Sequence, residues 1–250
     1  FDVTEQAEAE RMRREFTANV SHELKTPLQS IIGSAELLEN GLVKPEDQPR
    51  FLSRIHQEAD RLVALINDIL RLSQLDEGGA LPHEQVSVLE LAQEAARSLT
   101  AQAAAQAVHI SVTGTAGTVF GVRRLLYEIA RNLCENAVKY NVPGGSVTVE
   151  VAETDRDVTL LVRDTGIGIP EGDQSRVFER FYRVDKARSR ESGGTGLGLS
   201  IAREIVQRHH GTISLVPHEG PGTTVRLELP ITQPAPGAPE DTAENTSAQQ

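Results

Sequence analysis

Apolar residues between Thr4 and Asn40 recur at intervals of three and four, at Val20, Leu24, Leu28, Ile31, Ala35 and Leu38, and this spacing predicts one long helix. A second stripe runs through Leu52, Ile55, Ala59, Leu62, Ile66 and Ile69, with the strict three-four alternation of a bundle seam. Between them "NGLVKPEDQP" carries two prolines and a glycine, which end a helix and turn the chain, so the helices are expected to form an antiparallel hairpin. Two narrow stripes bury each other incompletely. Two hairpins close a four-helix bundle, and a homodimer through residues 1–76 is expected on that ground.

After "DEGG", residues 76–79, the period shortens to two. Val108, Ile110 and Val112 alternate, as do Val147, Val149 and Val151, then Val158, Leu160 and Val162, and finally Val225, Leu227 and Leu229, each group predicting a half-buried strand. Helical patterns over residues 87–105, 121–140 and 197–209 interleave with them, which predicts a mixed sheet with helices on one face. From Gln233 onward "QPAPGAPEDTAENTSAQQ" has no large apolar residue and is expected to stay unfolded. The fold class expected is therefore α plus α/β: a helical hairpin over 10–78 behind a helical linker in the first 15 residues, an α/β sandwich over 80–231, and a tail over 232–250.

Composition narrows the partners. The 250 residues suit two domains, and 36 acidic against 25 basic side chains give no electrostatic footprint for nucleic acid or anionic lipid. The single cysteine, Cys134, cannot form an internal disulfide, which fits a reducing compartment. No apolar run approaches the roughly 20 residues of a membrane-spanning helix, so no membrane contact by these residues is expected. The first residue is Phe1 rather than Met, which fits either an excised fragment or a processed chain.

In "NVSHELKTP", residues 19–27, His22 falls on the helix face opposite Val20 and Leu24 and should meet solvent. Glu23 can hold one ring nitrogen or take its proton, which leaves the other as a nucleophile at neutral pH. Thr26, one turn on, could order a water with its hydroxyl, and Pro27 removes an amide hydrogen and should bend the helix just past the ring. A surface histidine beside a tolerated kink is the plain alternative.

Four clusters follow in the second domain. In "EIARNLCENAVKY", residues 128–140, Asn132, Asn136, Lys139 and Tyr140 share one helix face, and two amide oxygens one turn apart suit a hydrated Mg²⁺ bound largely through phosphates. Lys139 would then meet phosphate and Tyr140 a base. "DTGIGIP", residues 164–170, places Asp164, an acceptor for an adenine amino group, before the turn formers Gly166 and Gly168. No dinucleotide fingerprint or Walker lysine loop is present. In "VFERFYRVD", residues 177–185, Phe178 and Phe181 should anchor the segment and leave Arg183 free to reach a phosphate. "GGTGLGLSIARE", residues 193–204, sets Gly194, Thr195, Gly196, Leu197 and Gly198 ahead of an apolar helix whose first amides can cradle phosphate. Residues 184–196 are expected to form a lid.

Taken together these segments resemble the cytoplasmic catalytic core of sensor histidine kinases of two-component systems. "FTANVSHELKTPL" is similar to the family's H box, the later clusters to its N, G1, F and G2 boxes, and "GPGTT", residues 220–224 and including Thr223, to its final glycine turn. The resemblance implies the gyrase/Hsp90/histidine-kinase type of ATP-binding domain, ATP and Mg²⁺ as cofactors, and a response regulator as partner. It implies that His22 is autophosphorylated with Glu23 as acid/base, and that Glu23 and Thr26 take part in dephosphorylating the regulator. Asn132 and Asn136 would hold Mg²⁺ and phosphate, Lys139 and Arg183 would contact phosphates, Tyr140 would stack on adenine and Asp164 would bind its amino group. Two segments, "NLCENAVKYN" and "RFYRVDKARSRESGGTGLGLSIAR", look most like phosphate-regulon-type sensors, and "FDVTE" resembles the last strand of a PAS sensor domain, implying a membrane-anchored receptor. "FGVRR", residues 120–124, departs from the many relatives with an acidic residue before that helix.

Two rival readings stay open. The same ATP-binding fold occurs in hydrolases of the gyrase, Hsp90 and MutL type, where a glutamate stands four residues before the Mg²⁺ asparagine; here that place holds Asn132, an amide that cannot accept a proton at neutral pH. A dimeric scaffold that binds nucleotide without chemistry would have no need of His22.

Overall fold

The computed structural model describes residues 3–76, 81–185, 194–217 and 220–231. The two apolar stripes form helices α1 (Val3–Glu39) and α2 (Gln48–Asp76), joined by a turn in which Gly41 takes a φ of 66°. Helix α1 runs unbroken through Pro27. It begins at Val3, so the part of the segment expected to end a sensor strand that the structure describes is helical, while Phe1 and Asp2 lie outside the described residues. Arg54 Nε donates to Ser30 Oγ at 3.2 Å across the hairpin.

The burial of the hairpin departs from the expectation in an informative way. Leu28, Leu52 and Ile66, three residues of the predicted stripes, are 49%, 58% and 46% exposed in the single chain, and Ile32, Val63 and Leu70 are exposed beside them. The buried apolar residues of α2 are instead Leu65, Leu72 and Leu75, which join the core of the second domain. Helix α2 is thus apolar on more than one face: one packs on the second domain and another stays uncovered.

The second domain opens with β1 (Glu84–Ser87), α3 (Val88–Ser98) and α4 (Thr100–Ala105). Next come β2 (His109–Gly114), β3 (Thr118–Gly121), α5 (Arg123–Lys139), β4 (Ser146–Glu153) and β5 (Asp157–Asp164). The short helix α6 (Glu171–Gln174), then α7 (Gly198–Arg208), β6 (Thr212–Leu215) and β7 (Thr224–Pro230) complete it. The expected 87–105 helix is split at Leu99, where Ser98 Oγ and Thr100 Oγ1 bond back to the carbonyls of Ala95 and Arg97, at 2.7 and 2.9 Å. Such local bonds compete with helix propagation. Strands β1, β3 and β6 have four residues each, too short to show a period.

Five strands form one mixed sheet in the order β2-β4-β5-β7-β6, with only the β2–β4 pair parallel; β1 and β3 make a separate antiparallel ribbon. Register aligns Val149, Val162 and Val225 in one row and Val151, Leu160 and Leu227 in the next. The alternation buries Val147, Val149 and Val151, Val158, Leu160 and Val162, and Leu227 and Leu229 in the same core as Ile129 and Leu133 of α5 and Ile201 and Ile205 of α7. Asp164 ends β5 opposite Val147, at the rim of this layer.

The entry to α5, which "FGVRR" left without an obvious cap, is supported from another element. Val122 N–H donates to Nε2 of His209 at 3.1 Å, while the opposite nitrogen, Nδ1, donates to the carbonyl of Ile205 at 2.8 Å. His209 is 2% exposed, and burial holds its imidazole below the usual histidine value, partly offset by the bond to Ile205 and reinforced by His83, His210 and Arg208. Because the folded value is depressed, this contribution to stability is present above the unfolded imidazole value and is lost as pH falls below it. Thermal melts of the wild type should drop between about pH 7 and 5, and the drop should be smaller in His209→Gln, which cannot titrate; an equal drop in both would contradict this role.

Candidate active site

Helix α5 carries its chemistry near its C-terminal end. Asn132, Asn136, Lys139 and Tyr140 line one side of a cavity of about 440 Å³. Burial pulls the Lys139 ammonium below the usual lysine value; Glu135 opposes this, and Arg183 and Arg61 add to it. Lys139 Nζ stands 5.5 Å from the centre of the Tyr140 ring. Facing Asn132 is the start of α7, where a Cβ on Gly198 would meet Asn132 Oδ1 in ordinary van der Waals contact at 3.8 Å.

Asp164 forms the inner wall. Its side chain is 8% exposed, and Oδ1 accepts from the backbone N–H of Gly166 at 2.8 Å and of Thr223 at 3.2 Å. Two glycines bring those amides close. A Cβ on Gly166 would lie 2.3 Å from the carbonyl oxygen of Tyr140, and Gly222, at a φ of 114°, would put one 1.9 Å from that of Asp164. The loop after β5 therefore lies directly on the end of α5, where Ile167 N–H donates to Tyr140 O at 3.1 Å.

The remaining expected residues divide clearly. Gly168, Arg183, Gly194, Thr195, Gly196, Gly198 and Thr223 line the cavity. Gly166 shapes it from behind, and the Leu197 side chain is fully buried in the core, so Leu197 offers the site only backbone. Lid residues 186–193 lie outside the described residues, as does the tail from 232 onward. Phe181 anchors its segment at a φ of 65°: its N–H donates to Gly196 O at 2.9 Å, and its ring packs on Phe16 of α1 at 5.7 Å.

Two expectations need correction. Arg183 is not free. Its side chain is 4% exposed, and Nη2 donates to Glu23 Oε2 at 2.8 Å and to Thr195 O at 2.9 Å, because α1 packs against this segment. The Thr26 hydroxyl donates to the His22 carbonyl at 3.2 Å, as a threonine inside a helix commonly does, which leaves its oxygen as an acceptor rather than its hydrogen as a donor to order a water. Glu23 Oε2 also accepts from Arg61 of α2 at 3.1 Å, so the carboxylate is held by two guanidiniums. His22 is exposed, as expected, and is not among the residues lining the cavity.

Sequence reasoning missed the cavity's fourth wall, which Ala64, Asn67, Asp68 and Arg71 of α2 supply. Thr195 Oγ1 donates to Asp68 Oδ2 at 2.7 Å, and Arg71 bridges Asp68 at 3.5 Å and Glu128 of α5 at 3.1 Å. Burial raises the carboxyls of Asp68 and Glu128 above the usual range; the Thr195 bond and Arg71 counter it for Asp68, and Arg71 and Arg124 for Glu128. No residue pattern in α2 signals that another domain docks on this polar face.

Among the described residues, two donors in this cavity wall are buried without an acceptor, Asn132 Nδ2 and Arg183 Nε. A buried unpaired donor is costly, and an anionic ligand would satisfy both. Residues 12–78 match the family described as His Kinase A (phospho-acceptor) domain, and residues 121–233 the one described as histidine kinase-, DNA gyrase B-, and HSP90-like ATPase. The chain is 40% identical over 233 residues to the sensor-like histidine kinase SenX3 of Mycolicibacterium smegmatis, covering 92% of this chain and 60% of that protein. It is 30% identical to the solved mycobacterial sensor histidine kinase MprB, at a TM-score of 0.53, over 60% of this chain and 97% of that one. The chain belongs to the sensor histidine kinases. The sensor histidine kinase WalK of Bacillus subtilis is 38% identical over 244 residues, 92% of this chain and 38% of that protein. The chain thus spans 38% and 60% of these two curated relatives. A crystal structure of the histidine kinase ThkA in complex with the response regulator TrrA superposes at a TM-score of 0.72 and 25% identity, over 93% of this chain and 68% of that one. In this chain, then, most of the cavity wall comes from the residues that match the ATPase family, α2 of the phospho-acceptor match closes it, and His22 lies in that phospho-acceptor match.

Proposed function

We propose that the chain binds ATP in the cavity between α5, β5 and α7, transfers its γ-phosphoryl group to His22, and passes it on to an aspartate of a response regulator. One observation carries this reading: a cavity with Asp164 at its inner wall and two orphaned donors is attached to a hairpin that presents an exposed histidine. Asp164 would accept from the adenine amino group, Tyr140 would stack on the base, and Lys139, Arg183, Thr195 and the first amides of α7 would meet the phosphates. Asn132 and Asn136 would hold Mg²⁺, which would neutralise phosphate charge. The unprotonated imidazole nitrogen would form the P–N bond as the bond from the γ-phosphorus to its bridging oxygen breaks and ADP leaves with those electrons. Glu23 would take the ring proton once Arg183 lets it go.

The response regulator as partner is supported by the ThkA–TrrA complex, and phosphatase action on the phosphorylated regulator, with Glu23 and Thr26, belongs to the same proposal. So does a cytoplasmic location, as in the family. A homodimer is supported by the apolar strip of Leu28, Ile32, Leu52, Val63, Ile66 and Leu70, which one chain leaves exposed. Sedimentation of Ile66→Asp/Leu70→Asp should give a monomer where the wild type gives a dimer; equal behaviour would assign the strip elsewhere.

The function is tested by incubation with γ-labelled ATP and Mg²⁺. Protein-bound label that is acid-labile and alkali-stable, and that chases onto a receiver domain, is expected. Release of free phosphate alone, with no protein-bound label, would support the hydrolase reading instead.

A further inference from the structure

Two of the side chains assigned to phosphates are already occupied by carboxylates of the hairpin. Thr195 Oγ1, at the start of the glycine segment, donates to Asp68 at 2.7 Å, and Arg183 Nη2 donates to Glu23 at 2.8 Å. Both acceptors come from the phospho-acceptor domain, Asp68 from α2 and Glu23 from α1. A carboxylate oxygen and a phosphate oxygen present the same anionic acceptor to a hydroxyl or a guanidinium. Asp68, moreover, lines the nucleotide cavity itself. Neighbouring contacts hold the two domains in this arrangement: Arg71 to Glu128 at 3.1 Å, and Phe181 with Arg180 around the Phe16 ring, at 5.7 and 5.3 Å.

We infer that Asp68 is a residue of the nucleotide site that acts against the nucleotide, an anionic competitor built into the hairpin, and that phosphate binding displaces Asp68 and Glu23 together. This rests on the ATP reading of the cavity. The exchange breaks no covalent bond: Thr195 and Arg183 trade carboxylate for phosphate oxygens. Its consequence lies at the acceptor helix. Glu23 leaves Arg183 only when the phosphates have arrived, so the group that is to take the proton from His22 is released by the substrate whose phosphoryl group His22 receives. Apparent affinity for ATP is lowered by the fraction of chains in which the clasp is closed. A ligand without phosphates has nothing to exchange with Asp68 and is indifferent to it.

Calorimetry on the full chain tests this with Mg²⁺ and the non-hydrolysable analogue AMPPNP, and with adenosine as the phosphate-free probe. Asp68→Ala should bind AMPPNP about five- to tenfold more tightly than the wild type, the range expected when one charge-assisted bond no longer competes, with adenosine affinity unchanged. Asp68→Asn, which keeps the side-chain volume, should shift in the same direction, as should Glu23→Gln, although Glu23 lies outside the cavity. Amide exchange over residues 60–71 should quicken when AMPPNP is added and stay constant with adenosine. AMPPNP affinity that is unchanged or weaker in both Asp68 variants, with the wild type binding it, would overturn the competitor role and leave the kinase reading standing. Failure of wild type and variants alike to bind either probe would remove the ATP reading and this inference with it.

Discussion

His22→Gln is expected to abolish protein-bound label from γ-labelled ATP while leaving ATP affinity within about twofold of the wild type, because distant sites without shared partners are additive. The histidine is exposed on α1 and is not part of the cavity wall. Loss of label therefore reports the acceptor and not the donor site. Gln keeps a polar side chain of similar reach and fits a helix, so the hairpin and the Arg183–Glu23–Arg61 contacts next to it should survive. Labelling and calorimetry on the same preparation check both halves. Stable label in His22→Gln would move the acceptor to another residue, and lost ATP affinity would mean that His22 is coupled to the pocket more directly than this arrangement shows.

Asp164→Ala should be the most damaging change in the cavity. It removes the proposed adenine acceptor and should weaken ATP binding by about 100-fold or more, roughly 2.7 kcal/mol. It also strips Oδ1 from the backbone amides of Gly166 and Thr223, leaving two inward-facing donors unpaired, at a cost of about 1–3 kcal/mol each. Asp164→Asn separates these effects. The amide oxygen can still accept from Gly166 and Thr223, so stability should be largely restored, whereas the opposing NH₂ presents a donor to the adenine amino group and affinity should stay low. Thermal melts and calorimetry on the pair are decisive. Nucleotide affinity within about threefold of wild type in Asp164→Ala would place the base elsewhere in the cavity.

Such a site is legible because its chemistry is local in the chain. Asn132, Asn136 and Lys139 share a helix face by spacing alone, and Asp164 follows from a strand ending in an acid before two glycines. The glycine segment ahead of α7 follows from the same kind of reading. What stayed hidden depends on elements distant in sequence. Capping of α5 by His209 spans 87 residues, and nothing near Val122 points to it. The engagement of Arg183 by Glu23 spans 160 residues and turns an arginine expected to be free into a buried partner. Asp68 reads as one acid on a polar helix face until Thr195 is brought to it from 127 residues away.

By itself the sequence determined the two-domain order, the identity of the helices and main strands, the exposed histidine, and most of the side chains around the cavity. These follow from periodicities of 3.6 and 2 and from residue types whose chemistry acts within a turn or two of chain. Only the tertiary structure decided which face of α2 is buried and which apolar strip stays open, how His209 supports the helix that carries the asparagines, and that two hairpin carboxylates occupy the side chains proposed to meet the phosphates. Those outcomes depend on how one domain docks on the other, and docking is set by the summed fit of two surfaces, which no short run of residues encodes.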